Sequence, residues 1–306
     1  MKLVTFQTPG TAPRAGWLTP DGAGVVDMQQ VSGGALPADM LTFIDGHAQY
    51  RALIGQHGWA EAPATHPLAE VQLLAPLPNP RSFRDYIGFE QHLLNASSKF
   101  GHKVAEEWYQ MPIFYFTNHQ AVVGPGADIK RPQGETRLDY ELEVGCVLGQ
   151  GGHDLTPEQA EDCIFGFTIF NDFTARAIQA REMRCNLGPA KGKDFANAIG
   201  PYLVTKDELA ARRDDTGRFD LRMQSRINGQ TICDGNFNTI HYTFGQMLAR
   251  ASENGVQLHP GDIIGSGTVG WGSLIETNFE AHRPLEPGDV LELEIDGLGI
   301  LRNQIV

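Results

Sequence analysis

The sequence predicts an α+β fold, mostly β, with a small N-terminal β unit followed by a larger mixed part. Three observations lead to this. The chain carries 35 glycines and 18 prolines in 306 residues, as a fold with many turns requires. Short apolar stretches with period-two alternation recur, most strictly in Asp289-Val290-Leu291-Glu292-Leu293-Glu294-Ile295. Helical patterns do not alternate regularly with strands, so a doubly wound sheet is not expected.

Taken in order, Met1-Lys2-Leu3-Val4-Thr5-Phe6 reads as a first strand rather than a signal peptide. The turn clusters Thr8-Pro9-Gly10 and Thr19-Pro20-Asp21-Gly22 divide residues 1–30 into a small antiparallel unit. Residues 36–60 have helical spacing (Met40, Phe43, Ile44, Leu53, Ile54), with Asp39 as a candidate N-cap. Three prolines in Ala75-Pro76-Leu77-Pro78-Asn79-Pro80 predict an extended linker, because each restricts itself and its predecessor. The predicted domains are therefore 1–75 and 76–306. Residues 88–110 read as helical. Thr156-Pro157-Glu158-Gln159 reads as a helix start, with Thr156 as N-cap, proline at the first helical position and Gln159 closing a capping box. Ile164 to Phe173 has the length and apolarity of a strand, and Asp296-Gly297 marks a tight turn after the closing strand.

Composition excludes some classes of function. A net charge of −13 argues against nucleic acid and anionic membranes, and it means that an anionic substrate needs local cations. No apolar run is long enough for a transmembrane helix. The four cysteines, Cys146, Cys163, Cys185 and Cys233, are scattered without a C-x-x-C pair and suit a reducing cytoplasm.

The chemistry concentrates around Asp139-Tyr140-Glu141-Leu142-Glu143 and Phe170-Asn171-Asp172-Phe173. In a strand, Glu141 and Glu143 point to the same face, and the apolar flank Val144, Cys146, Val147, Leu148 implies burial. Buried like charges call for a cation, and oxygen-only donors favour Mg²⁺, Ca²⁺ or Mn²⁺ over Zn²⁺. The competing reading of an E-x-E pair is the wet face of an edge strand. A literal G-x-G-x-x-G stands at Gly265–Gly270, but Trp271-Gly272-Ser273 continues the loop where dinucleotide binding needs a helix. Its glycines are expected to let backbone pass close to a ligand. His92, seven residues after Asp85, becomes a general base only with an acidic partner beside it. Glycine-flanked Lys193 is a candidate for meeting a substrate carboxylate, and Cys185 has no histidine signature and reads as inert.

Together these segments resemble the fumarylacetoacetate hydrolase (FAH) family over about residues 78–306. The family's motifs occur in order. They are Asp85 with His92, Asp139–Glu143, Phe170 through Gln179, Leu187-Gly188-Pro189 through Gly192-Lys193-Asp194-Phe195, Pro260 through Thr268, and Gly299-Ile300-Leu301-Arg302-Asn303. The resemblance implies a small N-terminal β domain, a large mixed β-roll catalytic domain, and a homodimer. It implies that Glu141, Glu143 and Asp172, with Asp85 as a fourth carboxylate, hold a divalent cation, Mg²⁺ first and Ca²⁺ or Mn²⁺ as alternatives. It makes His92 the general base, Glu276 its acidic partner, and Lys193 a catalytic cation. Gln179, Tyr86, Tyr115 and Thr268 become substrate contacts.

The implied activity is metal-dependent hydrolysis of a C–C bond in a β-diketo acid, fumarylacetoacetate or acylpyruvate-like, in cytoplasmic aromatic catabolism. Decarboxylation, hydration or isomerisation of a 2-oxo acid on the same fold is the alternative, and a metal-stabilised binding protein without turnover is the more distant one. Two departures stand out. Decarboxylating and acylpyruvate-cleaving relatives carry Glu three residues after the histidine, where this chain has Asn95. An arginine found soon after the histidine in the hydrolase branch has no clear equivalent, the place falling near Gly101 with Lys99, His102 and Lys103 around it.

Overall fold

The structure, a computed structural model, describes residues 1–100 and 103–306, and within the first of these the side chains of 98–100 are left aside. Gly101, His102 and the Lys99 side chain, raised above as neighbours of a missing arginine, therefore lie outside the described residues.

A large mixed sheet dominates, and it is mostly antiparallel. Its middle is built from the strands Asn197–Thr205, Ile164–Asp172, Leu142–Leu148, Ile263–Gly265 and Phe83–Tyr86, side by side in that order. The Leu142–Leu148 and Ile164–Asp172 strands are buried at every position. Continuous apolar runs of this kind need cover on both faces. A second, five-stranded sheet includes Arg222–Ile227, Val290–Ile295 and Gly299–Ile305. Between the sheets lies one core, in which Leu148, Ile169 and Ala198 meet Met223, Leu293 and Leu301.

The N-terminal strand Lys2–Gln7 is not part of a separate sheet. It pairs antiparallel with Asn197–Thr205, Lys2 opposite Val204 and Leu3 opposite Leu203. Leu3, Trp17 and Phe43 share a buried cluster with Val147, Phe165, Phe170 and Ile263. One sheet thus spans both predicted segments, because the apolar face of the N-terminal hairpin finds its cover on the central strands.

Local signals act where they were read. Asp39 caps the helix Met40–Asp45, accepting from Thr42 N at 2.8 Å. Thr156 and Gln159 form a reciprocal capping box at the start of Pro157–Asp162. The helical reading of 88–110 resolves into an α-helix at Glu90–Phe100 and a separate 3₁₀ turn at Glu106–Tyr109. Ala105 is extended between them (φ −64°, ψ 139°), which breaks the period. Among the described residues no helix is long and apolar enough to cross a membrane.

Candidate active site

Four neighbouring strands bring the acidic residues together. Asp85 sits on Phe83–Tyr86, which runs parallel to Ile263–Gly265 with Gly265 opposite Asp85. Glu143 and Asp172 sit on the paired strands Leu142–Leu148 and Ile164–Asp172. Glu141 lies one residue before its strand, not inside it as the alternation predicted. The reason is local. Its N–H donates to the Asn171 side-chain oxygen at 3.2 Å, and its carbonyl accepts from Asp172 N at 3.3 Å. One ligand oxygen from each of Asp85, Glu141, Glu143 and Asp172 lies within 4.8 Å of the others, and all four residues are buried.

Burial drives the carboxyl groups of Asp85, Glu143 and Asp172 above their ordinary range. Glu141 is different. Burial pushes it up as well, but Lys193, then Arg176, hold it well below the usual carboxylate range. Lys193 Nζ hydrogen-bonds both Glu141 and Asp172. The Tyr115 hydroxyl donates to Asp85 at 3.0 Å and also reaches Asp172.

On the other side of the cavity, His92 Nδ1 lies 2.9 Å from Glu276 Oε1. Glu276 is fully buried, and Ser273 donates to Oε1 from both its backbone N–H (3.2 Å) and its hydroxyl (3.0 Å). Burial disfavours the imidazolium, but the charge of Glu276 outweighs it and raises the His92 pKa above its ordinary value. With Nδ1 turned to Glu276, Nε2 is left as the ring's proton acceptor.

A cavity of about 190 Å³ joins these groups, lined by His92, by the acidic residues Asp85, Glu141 and Glu143, and by Tyr115, Arg176, Gln179, Lys193 and Thr268. A larger groove of about 570 Å³, around His47, Phe165 and Phe219, shares no residue with it and none of this chemistry.

Residues 81–306 match the family model described as fumarylacetoacetate (FAA) hydrolase C-terminal. The chain belongs to the fumarylacetoacetate hydrolase family. Fumarylacetoacetase of Arabidopsis thaliana is 29% identical over 72% of this chain, and the match spans only 63% of that protein's own length. Oxaloacetate tautomerase YisK of Bacillus subtilis (strain 168) is 30% identical over 81% of the chain and 79% of its own. Among solved structures, the fumarylacetoacetate hydrolase of Exiguobacterium antarcticum is 26% identical and superposes with a TM-score of 0.74, covering 100% of this chain and 99% of that one. Enzymes of the FAH family thus include both hydrolases and a tautomerase among this chain's relatives.

The acidic cluster fits a divalent cation. Asp85 Oδ1 and Asp172 Oδ1 are buried without a hydrogen-bond partner among the described residues, a costly arrangement unless something positive meets them. Among the described residues the cations paired with these four carboxylates are Lys193 and Arg176, and the donor set is all oxygen, as Mg²⁺, Mn²⁺ and Ca²⁺ prefer.

The geometry adds detail to two of these expectations. Tyr86 borders the cavity, and its hydroxyl proton is taken by the Met247 carbonyl at 2.6 Å. A fully buried hydroxyl requires such a partner, and the nearby backbone supplies it. In the glycine loop, Gly267 lets backbone pass close to protein. Gly267 (φ +79°) donates its N–H to Glu143 Oε2 at 2.8 Å, and a Cβ there would fall 2.6 Å from Tyr86 O and Gly88 N.

Two residues were missed as functional. Arg176 bridges Asp139 (Nε, 2.9 Å) and Glu141 (Nη2, 2.7 Å) and reaches Gln179 Oε1. Asn95 donates to Glu276 Oε2 at 2.7 Å. The signal for Arg176 was its place four residues after Asp172 in a stretch that turned out buried. Asn95 stood out only as a departure from relatives that carry Glu there, and nothing local pointed to Glu276 as its partner.

Proposed function

We propose that this FAH-family enzyme is a metal-dependent hydrolase of a C–C bond in a β-diketo acid, fumarylacetoacetate or acylpyruvate-like, of the kind formed when aromatic rings are degraded. The observation that carries this reading is the His92–Glu276 pair at 2.9 Å, with His92 bordering the same cavity as the acidic cluster. A binding module has no need of a base and a buried acid beside its metal ligands.

Asp85, Glu141, Glu143 and Asp172 would hold the cation, with Mg²⁺ the first candidate, and it would supply Lewis acidity to a substrate carbonyl. The chain's own residues account for the rest. His92 Nε2 takes a proton from water while Glu276 orients the ring and stabilises the imidazolium. The water oxygen bonds to the carbonyl carbon, the C–C bond breaks, and its electron pair leaves on the departing carbon as an enolate. The proton held by His92 returns to that carbon, which completes two acids. Lys193 and Arg176 offset the negative charge that develops. Thr268, Gln179 and Tyr115 offer hydroxyl and amide groups for orienting a small acid.

A second reading, tautomerisation or decarboxylation of a 2-oxo acid, is supported by the likeness to the Bacillus tautomerase. A panel of acylpyruvates, fumarylacetoacetate and oxaloacetate, offered to Mg²⁺-loaded protein, separates the two. Hydrolysis consumes the enol absorbance and yields two acids. Carbon dioxide, or keto–enol exchange without cleavage, would overturn the hydrolase reading in favour of the second. A homodimer in the cytoplasm belongs to the same proposal.

A further inference from the structure

Glu276 is held from two sides. From the Leu274–Thr277 turn come the Ser273 donors and, at 2.6 Å on Oε2, the backbone N–H of Trp271. From the helix Glu90–Phe100 come His92 and Asn95, three residues apart and therefore on one face. His92 meets Oε1, and Asn95 Nδ2 donates to Oε2 at 2.7 Å. Asn95 is itself oriented, since Gln91 Nε2 donates to its Oδ1 at 2.7 Å from one turn earlier. This leaves the amide only one way round, with its NH₂ toward Glu276. Asn95 and Glu276 are both buried, so no bulk water substitutes for the bond.

We propose that Asn95 is a positioning residue for the reaction, clamping the Glu276 carboxylate so that a single oxygen faces His92 and its negative charge is shared with a neutral donor. The proposal rests on the reading of His92 as the general base. A Glu at position 95 would press a second buried carboxylate against Glu276, and the two would repel. Position 95 therefore determines which acid partners His92, and asparagine commits this chain to Glu276.

Removing the Asn95 donor leaves Glu276 a stronger acceptor, which tightens its hold on the protonated imidazole. Among the described residues, the charged groups whose fields reach His92 are Glu276, Glu141 and Arg176, from three different segments, and neither Asn95 variant changes them. The experiment follows the His92 ring by NMR titration in Mg²⁺-loaded, isotope-labelled protein, alongside steady-state kinetics on the best substrate found. Relative to the unmodified protein, Asn95→Leu is expected to raise the His92 midpoint by about half a pH unit, the effect of losing one hydrogen bond to a carboxylate. The near-isosteric Asn95→Asp raises it further, and Glu276→Gln lowers it. In both Asn95 variants kcat falls about tenfold or more at neutral pH while KM changes little. If Asn95→Leu fails to fold, Asn95→Asp decides. A His92 midpoint unmoved by either substitution, or moved in the direction of Glu276→Gln, overturns the proposal. If no diketo acid is turned over, the hydrolase reading fails on its own, and the NMR ordering still tests the clamp.

Discussion

Gly265 stands opposite Asp85 in a parallel strand pair, and an added Cβ would fall 2.2 Å from the Asp85 carboxylate oxygen. The glycine makes the space in which a buried aspartate turns toward its three acidic neighbours. Gly265→Ala should therefore displace Asp85, weaken cation binding several-fold and cost about 1–3 kcal/mol of stability from overpacking. Calorimetric titration with Mg²⁺ and a urea melt measure both. Unchanged cation affinity would remove Asp85 from the ligand set.

The base and the ligands are separable. His92→Ala is expected to abolish turnover, by about 100-fold or more, while leaving Mg²⁺ affinity intact. Glu143→Ala should lose both, since Glu143 belongs to the cluster that meets within 4.8 Å. Full activity of His92→Ala on a confirmed substrate would show that the proton goes elsewhere.

The acid limb of kcat/KM should lie above the ordinary histidine range. His92 works as a base only when neutral, and Glu276, against the effect of burial, raises its pKa, so activity is lost as pH falls through a raised value. Glu276→Gln removes the charge, and the limb should move to lower pH even as kcat drops. A pH profile of both proteins checks the sign.

Chelated protein should become less stable as pH rises. Burial raises the carboxyl groups of Asp85, Glu143 and Asp172 in the folded state, so their contribution is present below the unfolded value, about 4, and fades as pH climbs through the raised values. Glu141 runs the other way, being held low by Lys193 and Arg176 against its burial, but it is one group against three. Saturating Mg²⁺ should restore stability at pH 8 by about 2.7 kcal/mol at a hundredfold excess over Kd. Thermal melts at pH 5 and pH 8, with EDTA or with Mg²⁺, test this, and an EDTA melt indifferent to pH would count against the cluster as a cation site.

Arg176→Met should cost about 3–5 kcal/mol, because it leaves Asp139 and Glu141 buried with one cation fewer between them. Denaturant titration gives the value directly. A loss below about 1 kcal/mol would mean that the bridge is a bystander.

Much of the site was legible because its signals are local. Two glutamates in alternation beside an apolar run, and an aspartate closing another, read as buried charge in need of a partner, and the described strands Leu142–Leu148 and Ile164–Asp172 are indeed buried throughout. The caps at Asp39 and Thr156 are local as well. What escaped depends on residues far apart in the chain. Asn95 meets Glu276 across 181 positions, and Arg176 meets Asp139 across 37. The Tyr86 hydroxyl turns to a carbonyl 161 residues on, and no spacing foretells that. The merging of the N-terminal hairpin with the central sheet is of the same kind, since strand periodicity says which face is apolar but not what will cover it.

The pairing of Leu3 with Leu203 has a consequence for how the molecule is made. Lys2–Gln7 pairs early with Arg14–Leu18, but its partner Asn197–Thr205 lies some two hundred residues further along, and loop closure over that span is slow. Until then the hairpin presents an apolar face and an open edge to the crowded cell, a template for wrong partners. Birth, for this chain, is a period of exposure that chaperones would be expected to shorten.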